Sequence, residues 1–459
     1  MAIQQIPTRV HEAVVADFRT TLRGALLAPG DDGYDASRKV WNAMIDHRPA
    51  LIARCLGASD VMSAVRFARD HDLSLSIKGG GHNVAGKAVC NDGLMIDLSL
   101  MKGIHVDPAA RIARVEPGVL WGELDHETHA FGLATPGGVV ASTSVAGLTL
   151  GGGQSWLTGK YGLTIDNLLS ADVVLADGSL VHASSTENPD LFWALRGAGA
   201  NFGVVTSFEF QLHPVGTVLG GMAIHPIDRA RDVLDFYHEF SKNQPDELTT
   251  YAGILTAPDG NQVIALVVCY TGNLSEGERV LAPLRQFGPP AADMIGPMPF
   301  TAQQGLIGPS FPEGRLNYWK SGLTDVLSDR LIETVIEYAG RVPSPHTAIV
   351  FGDFHGAYSR VDNTETAYSH RHLQHGVIIL SAWTDPADNE RNISWTRDFF
   401  RELEPELGDG VYVNDLGEEG GDRVRSAYGE NYERLIALKT RYDPTNLFRL
   451  NQNIAPRPI

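Results

Sequence analysis

Cysteine is scarce in this chain. Its 459 residues hold three, Cys55, Cys90 and Cys269, in neither a metal-binding spacing nor a disulfide framework. That usage fits a reducing cytoplasm. No run of about 18 apolar residues occurs, so no membrane span is expected. Met1–Glu12 has no apolar core of signal-peptide length. Positive charge is in deficit, with 37 Lys and Arg against 55 Asp and Glu. The formal net charge of -18 repels phosphate backbones and argues against nucleic-acid binding. Glycine is plentiful: its 48 residues fall in clusters, as where backbone closely approaches a large ligand.

The length suits about two domains. Strands are expected at Leu51–Arg54, Leu73–Ile77, Leu94–Leu98, Ile112–Val115, Ala171–Ala176 and Val204–Leu212. Helices are expected over Ser59–His71, capped by Ser59 and Asp60, and over Val119–Phe131. After His213-Pro214 the pattern changes. Strands at Val263–Cys269, Ala348–Phe354 and Val377–Ala382 alternate with helices at Arg229–Ser241, Ser275–Leu284 and Ser328–Ala339. This reads as an antiparallel sheet with helices on one face. The tail from Gly410 differs again, with a helix near Tyr428–Tyr442. The expected division is 1–215, an inserted 216–405, and 406–459 returning to the first part.

Three glycine loops bear on ligand binding. Gly81 to Ala88 nearly matches the phosphate loop of ATPases, but Ala88 stands where a hydroxyl should hold magnesium. Gly197 to Gly203 is one residue too long for a dinucleotide fingerprint and lacks its acidic partner. Gly151-Gly152-Gly153 alone is a tight turn. Together, strand-end glycines expose several backbone N–H groups in one concavity, which can bind pyrophosphate without basic side chains.

The stretch Ser76 to Asn83 with Gly86 resembles the loop of the FAD-linked oxidases of the vanillyl-alcohol-oxidase superfamily. The similarity is closest to the bacterial branch with berberine-bridge-like enzymes and 6-hydroxy-D-nicotine oxidase. Gly147–Gly153 followed by Lys160–Asn167, Asn188–Gly199 running into Asn201–Thr206, and Tyr428–Tyr432, Tyr442–Arg449 and Asn451–Asn453 extend the resemblance over nearly the whole chain. It implies an α+β, two-lobed protein: an FAD-binding lobe of vanillyl-alcohol-oxidase type plus the inserted sheet domain for substrate. It implies a covalent bond from His82 to the flavin, which prevents dissociation and makes the ring a better electron acceptor. Cofactor contacts are implied for Lys78, Gly79, Gly80, Gly81, Asn83, Gly86, Ser144, Gly147, Gly151, Gly152, Gly162, Val205, Asn451 and Asn453. Some relatives add a cysteinyl bond, but the matching position here is Val140. A single bond is therefore expected, and a sugar-oxidase habit is disfavoured.

In the resembling family the second domain lays its sheet over the flavin. Strand alternation would put Phe351, Asp353 and His355 on one face, and Tyr318 with Lys320 on one face. Tyr412 and Asn414 match a strand returning to the flavin, with Tyr412 near substrate and Asn414 near the ring. His370, Arg371, His372 and His375 are read as solvated polar residues rather than a metal site. The implied activity is oxidation of a small aromatic or heterocyclic molecule by hydride transfer to the flavin, with molecular oxygen as acceptor and hydrogen peroxide as product. A dehydrogenase using another acceptor, and a flavin-binding carrier without turnover, are the competing readings.

Overall fold

The computed structural model describes residues 11–458; the N-terminal stretch read for a leader falls, up to residue 10, outside them. Three main sheets organise the chain. The first has strands β1 (Ala25–Leu27), β2 (Leu51–Arg54), β3 (Leu75–Lys78) and β4 (Leu94–Asp97), in the order β1-β2-β4-β3. Its β2-β4-β3 core is parallel and buried, as its near-continuous apolar runs require. The second has β5 (Ile104–Asp107), β6 (Ile112–Val115), β8 (Leu168–Val174), β9 (Leu180–Ser184) and β10 (Val204–Gln211), in the order β5-β6-β10-β8-β9, antiparallel throughout. Two short strands, β7 (Leu133–Ala134) and β11 (His213–Pro214), pair with each other. The helix Ala58–Asp70 packs under the first sheet through Val61, Ala64, Val65 and Ala68. Asp60 does not cap it as expected. Its carboxylate instead accepts the N–H groups of Arg23, Gly24 and Leu56, tying the chain before β1 to the end of β2.

The third sheet has eight strands: β12 (Thr217–Pro226), β13 (Leu248–Thr256), β14 (Gln262–Tyr270), β15 (Ala292–Asp293), β16 (Gly296–Pro299), β17 (Leu316–Thr324), β18 (Ala348–Asp353) and β19 (His375–Trp383). The order is β15-β12-β14-β13-β18-β19-β17, with β16 also on β12, and every pairing is antiparallel. One face, through Leu248, Ile254, Ile264, Leu266, Val268, Ile349, Phe351, Val377 and Ile379, lies under the helices Ala230–Ser241, Leu274–Gln286, Asp329–Ala339 and Asn389–Leu403. Asn273 and Ser328 cap two of these helices, each side chain accepting N–H groups of the first turn. The sheet with helices on one face is therefore present, as the alternating pattern predicts.

The C-terminal segment packs far from its chain neighbours. Val411, Leu416, Val424, Leu435 and Ile454 share one core with Val115, Trp121, Phe208 and Phe210 of the second sheet's region. The helix expected near Tyr428–Tyr442 runs from Tyr432 to Tyr442; Tyr428 instead ends a separate helix, Gly421–Tyr428, and the chain breaks between them at Gly429 with φ 48°. A side chain at Gly429 would meet Ser369 at 2.9 Å, so close packing as well as backbone conformation sets the break.

Candidate active site

The face of the eight-stranded sheet opposite its helices looks into a cleft. Met222, Tyr251, Val267, Trp319, Val350, Ile378 and Leu380 project from it. The opposing wall is largely backbone: Gly79–Asn83, Gly138–Val140, Thr143, Ser144, Gly147, Gly151, Ala198, Asn201 and Val205, with Asn414, Asp415, Asn451 and Gln452. The cavity volume is about 610 Å³, and its walls are mainly apolar.

The glycine loop after β3 is bare because space demands it. A side-chain carbon on Gly79 would lie 2.8 Å from Ser144 Oγ, and one on Gly80 3.0 Å from Ser144 Cβ. Ser144 in turn caps the helix Val145–Leu150. His82 ends the loop. Its ring stacks on Trp41 at 4.6 Å, and Nε2 lies 3.4 Å from Ser142 Oγ. Burial pushes its pKa down to about 4, so the imidazole is neutral at pH 7 with one nitrogen lone pair free.

Tyr412 and Asn414 meet, though not on a strand. Val413–Asp415 is a 3₁₀ turn, closed by the Asp415 N–H to the Tyr412 carbonyl. The period-2 pattern of Val411 to Asn414 misled because the Asn414 side chain supplies the bonds that sheet pairing would have made. Its amide donates to Tyr412 Oη at 2.7 Å and to the Leu148 carbonyl at 3.1 Å. Tyr412 Oη also accepts the Gly153 N–H at 2.9 Å, and the Asn414 carbonyl accepts from the Asn83 amide at 2.9 Å. This turn thus clamps two glycine loops together. Asn414 Oδ1 also occupies the space that a side chain at Gly151 would need.

The other proposed catalytic side chains are on the wrong face. The alternation holds, but Tyr318, Lys320, Phe351 and Asp353 point under the helices, while Trp319 and Val350 face the cleft. Tyr318 Oη accepts from Arg397 at 3.1 Å, and Lys320 pairs with Glu419 at 2.9 Å beside Phe400. Asp353 is fully buried and bonds His355 Nδ1 at 2.5 Å and Gln374 at 2.9 Å. Among cofactor candidates, Lys78, Gly86, Gly152, Gly162 and Asn453 also lie off the cleft lining. Lys78 donates to the Ser37 carbonyl at 2.6 Å, and Gly86, at φ 67°, turns the chain under Ile45. Gly152 packs on Tyr368 and Tyr412, Gly162 adjoins Asp166, and the Asn453 side-chain oxygen is buried without a partner.

His355 supports a stability prediction. Burial opposes its charged form, but the bond and charge of Asp353 outweigh burial and raise its pKa above the ordinary value. Its contribution is therefore complete below the unfolded-state pKa and is lost as pH rises through the folded one. The melting temperature of the protein is expected to decline over that interval, and His355→Gln to remove the decline. A pH series of calorimetric melts measures both.

Residues that sequence reasoning passed over complete the site. Trp41, Tyr251, Trp319, Asp415 and Gln452 all line the cleft. Asp415, adjacent to the singled-out Asn414, was the most readable of them.

A long cleft walled by bare glycine backbone on one side and by an apolar sheet on the other suits an extended dinucleotide. Asn451 Oδ1 and Trp319 Nε1 line it, both buried without a protein partner and available to a bound molecule. These features define an FAD-dependent oxidoreductase. The FAD binding domain family matches residues 49–184, and the berberine and berberine-like family matches residues 411–455. The chain is 34% identical to (R)-6-hydroxynicotine oxidase of Paenarthrobacter nicotinovorans, over 95% of this chain and 97% of that one. It is 33% identical to an FAD-linked oxidoreductase of Dictyostelium discoideum, over 96% and 97%. The crystal structure of 6-hydroxy-D-nicotine oxidase from Arthrobacter nicotinovorans superposes with a TM-score of 0.87 at 32% identity, covering 95% of this chain and 98% of that one. The protein belongs to the FAD-linked oxidases of the vanillyl-alcohol-oxidase superfamily, in the branch of berberine-bridge-like enzymes and 6-hydroxynicotine oxidase.

Proposed function

We propose that this enzyme oxidises a small aromatic or heterocyclic alcohol or amine and passes the electrons to molecular oxygen, releasing hydrogen peroxide, with FAD held by one covalent bond to His82. The observation that carries the substrate class is the cleft-facing sheet surface. Met222, Val267, Val350, Ile378 and Leu380 with Tyr251 and Trp319 offer apolar and aromatic contact, and few groups that could hydrogen-bond the hydroxyls of a sugar. When bound, the flavin supplies a hydride acceptor. The chain's own residues bind and orient. Gly79–Asn83 and Ser144–Gly147 present backbone to the cofactor, and the neutral His82 imidazole offers a nitrogen for the tether. The Tyr412–Asn414 clamp holds these loops in register, and the sheet positions the substrate while excluding water. Residues 1–215 with 406–459 form the FAD lobe in this reading, and 216–405 the substrate domain. The three unpaired, buried thiols favour a cytoplasmic location.

The test is a screen with benzyl alcohol, N-methylbenzylamine and 6-hydroxynicotine. At least one is expected to bleach the flavin under nitrogen and to release hydrogen peroxide under air. Bleaching without peroxide on admission of air would make the enzyme a dehydrogenase. No bleaching by any aromatic probe, with bleaching by an oligosaccharide, would overturn the substrate class.

A further inference from the structure

Asp415 lines the cleft without an ionic partner among the described residues. Among the described residues lining it, Asp415 is the single carboxylate. It sits at the end of the Val413–Asp415 turn, beside the Tyr412–Asn414 clamp. No Lys, Arg or His lies within ion-pair distance of it among the described residues. The nearby cations are committed elsewhere, since Glu419 pairs with both Lys320 at 2.9 Å and Arg423 at 3.3 Å. Across from Asp415, Ser321 Oγ on β17 is buried with no other partner. An unpaired carboxylate facing an apolar cavity is costly, and such a placement marks a functional group.

We propose that Asp415 is the catalytic base: it accepts the proton of the substrate's hydroxyl or amino group as hydride leaves the adjoining carbon. The inference rests on the oxidase reading above. In the step, the C–H bond breaks and its hydrogen carries both electrons to the flavin. The O–H or N–H bond breaks, and its electron pair becomes the second bond of the C=O or C=N product. The proton goes to a carboxylate oxygen of Asp415. Molecular oxygen then takes the two electrons and, with that proton and the transferred hydrogen, leaves as hydrogen peroxide.

The tyrosines around the site are poor bases. Burial raises the Tyr412 and Tyr251 pKa values far above neutral, and the charge of Asp415 adds to both. Tyr368 is raised in the same way. His82 is committed to the cofactor. Burial pushes the Asp415 carboxyl up, the Ser321 hydroxyl draws it back, and the charge of Glu419 raises it again, leaving it at about 7. A base with that value is matched to neutral operating conditions.

Asp415→Asn preserves shape and removes the base. With the aromatic probe that bleaches the wild type fastest, the limiting rate of anaerobic flavin reduction is expected to fall by about 10²–10⁴-fold. Flavin content and the probe's apparent Kd should stay near wild type. The wild-type rate should rise with pH through about 7 as the carboxyl ionises, and the variant should lack that limb. Asp415→Glu should restore part of the rate. Independently of turnover, infrared titration of the holoenzyme should show a carboxylic acid carbonyl band that disappears near neutral pH and is missing from Asp415→Asn. An unchanged rate and pH profile in Asp415→Asn, or a loss confined to Kd, overturns the proposal. So does a wild-type titration without the band. If no probe bleaches the wild type, the oxidase reading fails, and the infrared result still decides whether Asp415 is poised as a base.

Discussion

Acid-precipitated His82→Ala is expected to be colourless, where the wild type stays yellow. The proposed tether requires a neutral nitrogen, and burial keeps His82 neutral while Trp41 stacks on its ring. Val140 lines the cleft where a second, cysteinyl bond would have to form. Cys55, Cys90 and Cys269 are buried off that lining, with burial raising each thiol's pKa so that little thiolate exists. Proteolysis of the wild type should therefore yield one flavinyl peptide, and it should contain His82. In the variant the flavin should leave on gel filtration in denaturant, and turnover should slow because the unlinked ring is a weaker acceptor. A yellow variant pellet, or a flavinyl peptide containing cysteine, would refute the single histidyl bond.

Lys439→Met should cost the fold about 3–5 kcal/mol, the usual loss when one member of a buried ion pair is removed. Lys439 and Asp443 are both completely buried, 2.7 Å apart. Lys439 Nζ also donates to the carbonyls of Asn201 at 2.7 Å and Phe448 at 2.9 Å. Asp443 accepts the N–H groups of Leu447 and Phe448. Burial lowers the lysine's pKa, and the charge and hydrogen bond of Asp443 oppose that shift. Without the ammonium, Asp443 is a buried, uncompensated anion. The consequence reaches the cofactor, because Asn201 belongs to the glycine loop that lines the cleft and Asn451 bonds the adjoining Ala200 carbonyl. Urea denaturation should show the lowered midpoint. Replacing both residues by apolar ones should recover much of the loss, since the stranded charge is then gone.

The glycine loops were readable in the sequence because glycine without a low-complexity context has few other uses. Gly79 to His82 needed no partner to be noticed. The strand alternation in β17 and β18 was readable too, but not which side faces the cleft. Both sides of that sheet are apolar: one packs under four helices, the other walls the cavity. Period-2 patterning marks a face only when the opposite face meets water, so alternation alone does not show that Asp353 turns away from the cleft, bonding the half-buried His355 instead.

By itself the sequence determined the kind of chemistry. Backbone-exposing loops, the histidine that ends one of them, the valine at position 140 and the alternation of helix and strand are local, and local geometry follows from local residues. Tertiary structure decided which side chains share the cavity. Trp41 stacks on His82 from 41 positions away, and the Asn83 amide bonds the Asn414 carbonyl across 331 residues. Lys320 and Arg423 both pair with Glu419, which leaves Asp415 without an ionic partner among the described residues. Such juxtapositions are set by how sheets stack and where a returning segment docks, and no pattern along the chain encodes a distance between residues that only packing brings together.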